Sequence, residues 1–340
     1  MTDQAPRPSV AQRIQTAWFE QSLAVFLWPM LPLACLFGWL TALRRLAYRR
    51  GWLRCEKLPV PVVVVGNLIV GGAGKTPLTL HLVDALRQAG RSPGIVSRGY
   101  GGEVGVRAVS ADSDPAQVGD EPVLLAARGG VPVFVGRRRV DAGRALLAAH
   151  PEVDVLVCDD GLQHYALVRD VEIVVSDRRG LGNHWLLPAG PLREPAARLT
   201  SVDAVVVHAG SEMVRADALT MTLHAGDFYA LQCPDRVAQP SDWIGRPVHA
   251  LAGIGHPERF FATLRGLGVS FSAHPFPDHH RYVMADFSFV GDGVLLMTEK
   301  DAVKCRPFLQ GDVWVLPVTA HVSPALIALV LEKIDGRQTA

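Results

Sequence analysis

From Pro59 onward, apolar and polar positions alternate in blocks. Short continuous apolar runs are separated by stretches with helical spacing. "VPVVVV" is a near-continuous apolar run, the pattern of a strand covered on both faces by other elements. "PLTLHLVDALRQAG" is amphipathic and ends on Gly90, as a helix C-terminus should. "SPGIVSRGYGG" reads as strand then loop, and "DEPVLLAARGG" as a short helix stopping at Gly129. "VPVFVG" is a strand, "RRRVDAGRALLAAH" a helix, and "VDVLVCDDG" a strand ending on two aspartates. "DVEIVVSD" and "VDAVVVH" are two more strands. Strand and helix in alternation predict an α/β fold with a doubly wound, mostly parallel sheet. "MTLHAGDFYALQC" breaks the texture and reads as two short antiparallel strands joined at Gly226, a connector. A second α/β unit follows, with strands in "PVHALAGIG", "GVLLMT" and "DVWVLPV". Its helices are "PERFFATLRGLG", where Pro257 suits the first helical position, and the closing "SPALIALVLEKI".

The first 58 residues follow a different pattern. Leu23–Leu43 is an uncharged apolar stretch reaching the roughly 20 residues a membrane-spanning helix needs. Pro29 and Pro32 lie inside it and are expected to kink or break it. Trp18, Phe19, Trp28, Trp39 and Trp52 give it the aromatic character of a membrane interface, and Arg44, Arg45, Arg49, Arg50 and Arg54 follow at once. A buried helical hairpin would share this composition. The arginine run favours a helix lying in or dipping through a bilayer, with the rest of the chain on the cytoplasmic side. The organisation expected is therefore a membrane-associated segment over 1–58, a core domain over 59–220, a two-stranded linker over 221–239 and a smaller α/β domain over 240–340.

Charge and cysteine content narrow the function classes. The formal net charge of +1 supplies no global field for nucleic acid, so no nucleic-acid partner is expected. The five cysteines are scattered and form no C-x-x-C pair, which argues for a reducing compartment and against a zinc site.

Between "VVVV" and "PLTLHL" lies Gly71-Gly72-Ala73-Gly74-Lys75-Thr76. Glycines at a strand-to-helix turn let backbone N–H groups converge on phosphate oxygens, and the helix points its positive end at them. Lys75 is placed to reach the β- and γ-phosphates of ATP, and Thr76 to put a hydroxyl on Mg²⁺. The usual pattern has a glycine where this chain has Ile69, followed by Val70. Asp159 and Asp160, at the end of a neighbouring strand, are the natural metal-side partners. A phosphotransferase also needs a group to accept a hydroxyl proton, and the candidates are Asp120 in "GDEP", His164 in "DDGLQH", and Asp278, His279 and His280 in "FPDHH". Asp120 equally suits a helix cap. Arg137, Arg138, Arg139 and Arg144 suit either a solvated helix face or an anionic ligand, as do Arg98 and Arg193. "TEKDAVK" is similar to base-recognition motifs with altered spacing, and Thr298–Lys304 is read as a loop and helix start without an assigned role.

Taken in order, "VGNLIVGGAGKTPL", "SRGYGG", "GDEP", "DDGLQH", "GNHWLLPAGPLREP", "AGIGHPERFF", "FPDHHRY" and "MTEKDAVKC" resemble the tetraacyldisaccharide 4'-kinases of lipid A synthesis in Gram-negative bacteria. That family shows the same shifted glycines beside Ile69. The resemblance implies two Rossmann-like α/β domains joined by a short two-stranded linker, with the active site in the cleft between them. It implies an enzyme at the inner membrane that moves the γ-phosphate of ATP, with Mg²⁺, to the 4'-hydroxyl of an acylated disaccharide 1-phosphate. Carried onto this sequence, it makes Asp120 and His279 a catalytic dyad, with His280 the alternative. Residues Ile69 to Thr76 become the nucleotide loop. Thr76, Asp159 and Asp160 take the metal side, with Glu194 of "LREP" a further acidic candidate. The readings set against it are another loop-bearing kinase or ligase with a small soluble acceptor, and a nucleotide-hydrolysing switch or metal-delivery chaperone. Neither explains the apolar segment, and the Cys or His clusters of the chaperones are not found.

Overall fold

The computed structural model describes residues 10–338, apart from 21 and 104. The first nine residues of the expected membrane segment lie outside the described residues. The chain begins with helix α1 (Val10–Ala17), a 3-10 turn over Val25–Met30 and helix α2 (Leu31–Arg49). A first α/β unit runs through β1 (Val62–Gly66), α3 (Lys75–Gln88), β2 (Pro93–Ser97), β3 (Arg107–Val109), α4 (Pro115–Val118), α5 (Asp120–Gly129) and β4 (Val133–Val135). It continues through α6 (Arg139–Ala149), β5 (Val155–Asp159), β6 (Val171–Ser176), β7 (Ala204–His208) and β8 (Leu219–Ala225). A second unit holds β9 (Phe228–Ala230), β10 (Val237–Ala238), β11 (Val248–Ala252), α7 (Pro257–Gly266), β12 (Ser272–Pro275), β13 (Val294–Thr298), α8 (Glu299–Cys305) and β14 (Val313–Leu316). The chain ends with β15 (Val318–Val322) and α9 (Pro324–Gln338).

The first sheet has nine strands in the order β15-β8-β7-β6-β1-β5-β2-β4-β3. Strands β8 to β4 are parallel, and an antiparallel strand closes each edge. Strand β1 is central, and Val62 to Val65 are all buried, which is why its sequence is continuously apolar. Its register pairs Val65 with Asp159, so the two aspartates emerge level with the loop after β1. The second sheet has six strands in the order β10-β9-β14-β13-β11-β12.

Three expectations are corrected here. "MTLHAGDFYALQC" does not fold back on itself at Gly226. Strand β8 stays in the nine-stranded sheet while β9 joins the six-stranded one. The partner of β8 is β15, from Val318↔Ala225 to Val322↔Met221. "DVWVLPV" is likewise not one strand: Pro317 separates β14 in the second sheet from β15 in the first. The two crossings lie side by side, and Gly226 N donates to Pro317 O at 3.0 Å. The C-terminal unit consequently does not run to residue 340. Leu326, Val330 and Ile334 of α9 are buried in the core of the first unit. Hydrophobic periodicity shows that α9 has an apolar face but does not say which sheet it covers.

The amino-terminal prolines do not break the apolar segment. Pro29 lies in the 3-10 turn, and Pro32 falls in the first turn of α2, where a missing N–H is not needed. Val25–Arg49 is one helical stretch long and apolar enough to cross a membrane, and only a small part of it is buried. Val25, Trp28, Leu33, Leu36 and Trp39 are more than half exposed, so the segment is not a buried hairpin. It rests on the core lightly. A side chain at Gly38 would strike Leu186, and Arg45 donates to Ser201 Oγ at 3.0 Å.

Candidate active site

The loop after β1 is built around glycine. Gly74 caps α3 with φ +82°, and a Cβ there would lie 2.5 Å from His208 Nε2. Gly71 also has positive φ, +89°. The amides of Gly71, Gly72, Ala73 and Gly74 donate to no other backbone group among the described residues. Those before them are held differently. Val70 N donates to Pro191 O at 2.9 Å, Ile69 bridges to Leu192, and the Ile69 side chain is buried with Leu68 and Leu162. Ile69 and Val70 therefore anchor the loop to the 182–195 segment, and the free amides begin at Gly71. That segment also holds the stretch after α1, since Trp18 Nε1 donates to Pro188 O at 3.0 Å. Gly74→Ala is expected to cost about 1–3 kcal/mol from backbone strain alone and to abolish ATP binding. Thermal unfolding and equilibrium nucleotide binding would check both.

Lys75 is buried, with Nζ 3.5 Å from Asn67 Oδ1 and 3.6 Å from Asp160 Oδ1. Arg193 Nη1 reaches the same Asp160 oxygen at 3.1 Å. Burial would raise the Asp160 carboxyl, but Lys75 and Arg193 outweigh it and hold it below the usual range. Asp159 is different. It is fully buried, Thr79 donates to Oδ1 at 3.2 Å, and Oδ2 has no hydrogen-bond partner. Burial, then the charge of Glu121, pushes its carboxyl up to about 7. An orphaned carboxylate oxygen beside a lysine and a phosphate loop fits Mg²⁺ shared with a triphosphate, which takes one or two protein carboxylates rather than a full cage. Among the described residues no group of three or more His, Cys, Asp or Glu converges as a cage. Glu194 has other partners: it accepts from the Tyr165 hydroxyl and faces Arg198 Nε at 3.4 Å. Its neighbour Arg193, not Glu194, touches the aspartate pair. Glu121, to which the sequence pattern gives no role of its own, lines the cavity with Lys75 and Thr76. Its adjacency to Asp120 in "GDEP" is the signal that could have found it.

Across the cleft the second unit supplies a histidine. His279 Nδ1 lies 3.1 and 3.0 Å from the two oxygens of Asp120, which is buried at the start of α5. His279 has φ +59°, an uncommon backbone for a non-glycine residue. His280 Nε2 instead bonds Asp286 Oδ2 at 3.0 Å, so geometry selects His279 from the pair. Lys300, from the unassigned "TEKD", lies 3.2 Å from Glu121, 3.3 Å from Asp278 and 3.9 Å from Asp120. Thr298 caps its helix by accepting from Asp301 N. The Asp120 hydrogen bond raises His279 against burial and Lys300; Asp120 is held low, since its bond to His279 and the charge of Lys300 outweigh burial. His164 is not brought in. It accepts from Arg139 N at 3.3 Å, and burial with Arg139 and Arg169 pushes it down to about 4. Arg138 and Arg144 both pair with Glu56, and Arg139 donates to Asp160 O. A cavity of about 840 Å³ lies between the units, lined by Gly72, Lys75 and Thr76 on one side and Gly255, Arg259 and Lys300 on the other.

A family model described as tetraacyldisaccharide-1-P 4'-kinase matches residues 26–335. The chain belongs to that family. The tetraacyldisaccharide 4'-kinase of Dechloromonas aromatica is 57% identical over 338 residues, covering 97% of this chain and 100% of that one. The tetraacyldisaccharide 4'-kinase of an Azoarcus species is 52% identical over 316 residues, covering 91% and 92%. Among solved structures, the LpxK of Aquifex aeolicus in complex with ATP superposes with a TM-score of 0.78 at 29% identity, covering 91% of this chain and 100% of that one. As a tetraacyldisaccharide 4'-kinase the chain is an ATP-using phosphotransferase, and the switch or metal-delivery alternative finds no support among these relatives.

Proposed function

We propose that the chain transfers the γ-phosphate of ATP to the 4'-hydroxyl of a tetraacylated glucosamine disaccharide 1-phosphate, forming the lipid A precursor at the cytoplasmic face of the inner membrane. The observation that carries this reading is the Asp120–His279 pair, assembled from both units beside Glu121, Asp278 and Lys300, which line the cavity that holds Lys75. Asp120 holds the Nδ1 proton, which leaves the Nε2 lone pair to accept the proton of the sugar hydroxyl. The amides of Gly72, Ala73 and Gly74 and the Lys75 ammonium receive the charge on the transferring phosphoryl group. Thr76, Asp159 and Asp160 would hold Mg²⁺, which neutralises phosphate charge when bound. ATP turnover measured with and without the tetraacyl disaccharide in detergent micelles tests the assignment. A kinase needs the acceptor, whereas a switch hydrolyses ATP without it.

The exposed face of Val25–Arg49 supports a place at the membrane, because the acceptor's acyl chains stay in the bilayer while ATP is dissolved beside it. Each aromatic or aliphatic side chain that enters the acyl region contributes about 1.5–3 kcal/mol if fully buried. Replacing Trp28 and Trp39 with serine removes no core packing, since both are exposed. Vesicle sedimentation is expected to weaken by about tenfold or more per residue with little change in thermal stability. Unchanged sedimentation would place the attachment elsewhere.

A further inference from the structure

Three successive carbonyls of the phosphate loop are held by side chains. Asn67 Nδ2 donates to Gly71 O at 3.0 Å, Arg179 Nη2 to Gly72 O at 2.7 Å, and His208 Nε2 to Ala73 O at 3.0 Å. In a planar trans peptide the C=O and the following N–H point in opposite directions. Fixing these carbonyls on Asn67, Arg179 and His208 therefore turns the N–H groups of Gly72, Ala73 and Gly74 away from those side chains. Gly72 and Gly74 line the cavity, and a Cβ on Gly255 of the second unit would lie 3.7 Å from Gly72 N.

Each holder is itself held. Asn67 directly follows β1. Arg179 is clamped by Asp177, with Nε 3.1 Å from both carboxylate oxygens, and lies over the Phe19 ring at 4.9 Å. His208 ends β7 and is buried. The partners of His208 fix its tautomer. A carbonyl can only accept, so Nε2 carries hydrogen. The guanidinium of Arg259 can only donate, and its Nη2 lies 2.8 Å from Nδ1, so Nδ1 carries the lone pair. Burial and the Arg259 charge also lower the histidine's proton affinity, in keeping with a neutral ring. Arg259 belongs to α7 in the second unit. One chain of contacts thus runs from that unit through His208 to the loop.

We propose that Asn67, Arg179 and His208 are positioning residues that set the phosphate-loop amides, and that Arg259 makes this setting depend on docking of the second unit. The proposal rests on the loop being the ATP site. With the units docked, the ring is fixed and the cradle is ready to bind. When α7 withdraws, His208 loses its second partner and the grip on nucleotide loosens, which favours release of ADP.

Equilibrium binding of Mg²⁺-ATP to the full chain, with no lipid acceptor present, is the test. Arg259→Met and His208→Leu are each expected to weaken binding by about tenfold. Because Arg259 acts through His208, the double variant is expected to be no weaker than His208→Leu alone. His208→Gln keeps a donor for Ala73 O and an acceptor for Arg259, so it is expected to stay within about threefold of the parent. In turnover, KM for ATP rises more than kcat falls. Additive losses would overturn the relay and make Arg259 a direct nucleotide contact; unchanged affinity in Arg259→Met, or loss of binding in His208→Gln, would also overturn it. Should His208→Leu not fold, His208→Met, which fills similar volume but offers Arg259 no nitrogen acceptor, replaces it in the double-variant comparison. If the parent chain fails to bind ATP, the reading of the loop falls, and the proposal with it.

Discussion

Lys75→Met is expected to reduce phosphoryl transfer by on the order of 10³-fold or more, the scale at which one cation acts in such sites. The side chain is buried, and its ammonium is the loop's own charge, 3.6 Å from Asp160. Methionine keeps most of the volume, so packing around the loop is preserved. Asp160 keeps Arg193 at 3.1 Å, so that carboxylate is not stranded without a partner. Transfer of labelled γ-phosphate to the disaccharide, alongside circular dichroism, separates the two effects. Near-normal transfer in a folded variant would remove the loop from the mechanism.

Asp120→Asn is expected to lower kcat by about 10²–10⁴, the contribution of general-base catalysis that Asp120 supports by orienting His279, with a smaller change in KM for ATP. A pH profile separates this from simple disruption. His279 must be neutral to accept the hydroxyl proton. Its pKa is raised, chiefly by the bond to Asp120, so it stays protonated to higher pH than an ordinary histidine. Activity is therefore lost as pH falls through that raised value, and the acid limb of kcat/KM lies at higher pH than an ordinary histidine would give. In Asp120→Asn the cause of the elevation is gone and the limb moves to lower pH. A limb that does not move would detach the pair from proton transfer and leave Asp120 with the helix-start role.

Much of the site was legible from local chemistry. A glycine with positive φ, a lysine opening a helix and an aspartate pair ending a strand are properties of consecutive residues, and α3, β1 and β5 follow the expected pattern. The prolines show where a local rule needed its position: Pro32 begins a helix that a proline in its interior would have broken. Glu121 and Lys300 were missed as site residues because each looks like an ordinary helix-terminal charge until the other unit is placed against it.

The order of apolar runs, the glycine-rich loop, the aromatic apolar foot and the family were determined by sequence alone, because each depends on residues that are neighbours in the chain or on motifs read in order. Pairings between distant residues were decided only by tertiary structure. His279 rather than His280 meets Asp120, β8 takes β15 as partner across nearly a hundred residues, α9 returns to the first core, and Arg259 reaches the loop through His208. The reason is physical. Backbone propensity and hydrophobic period act over a few residues, whereas a hydrogen bond across a cleft exists only once two separately folded sheets have packed together.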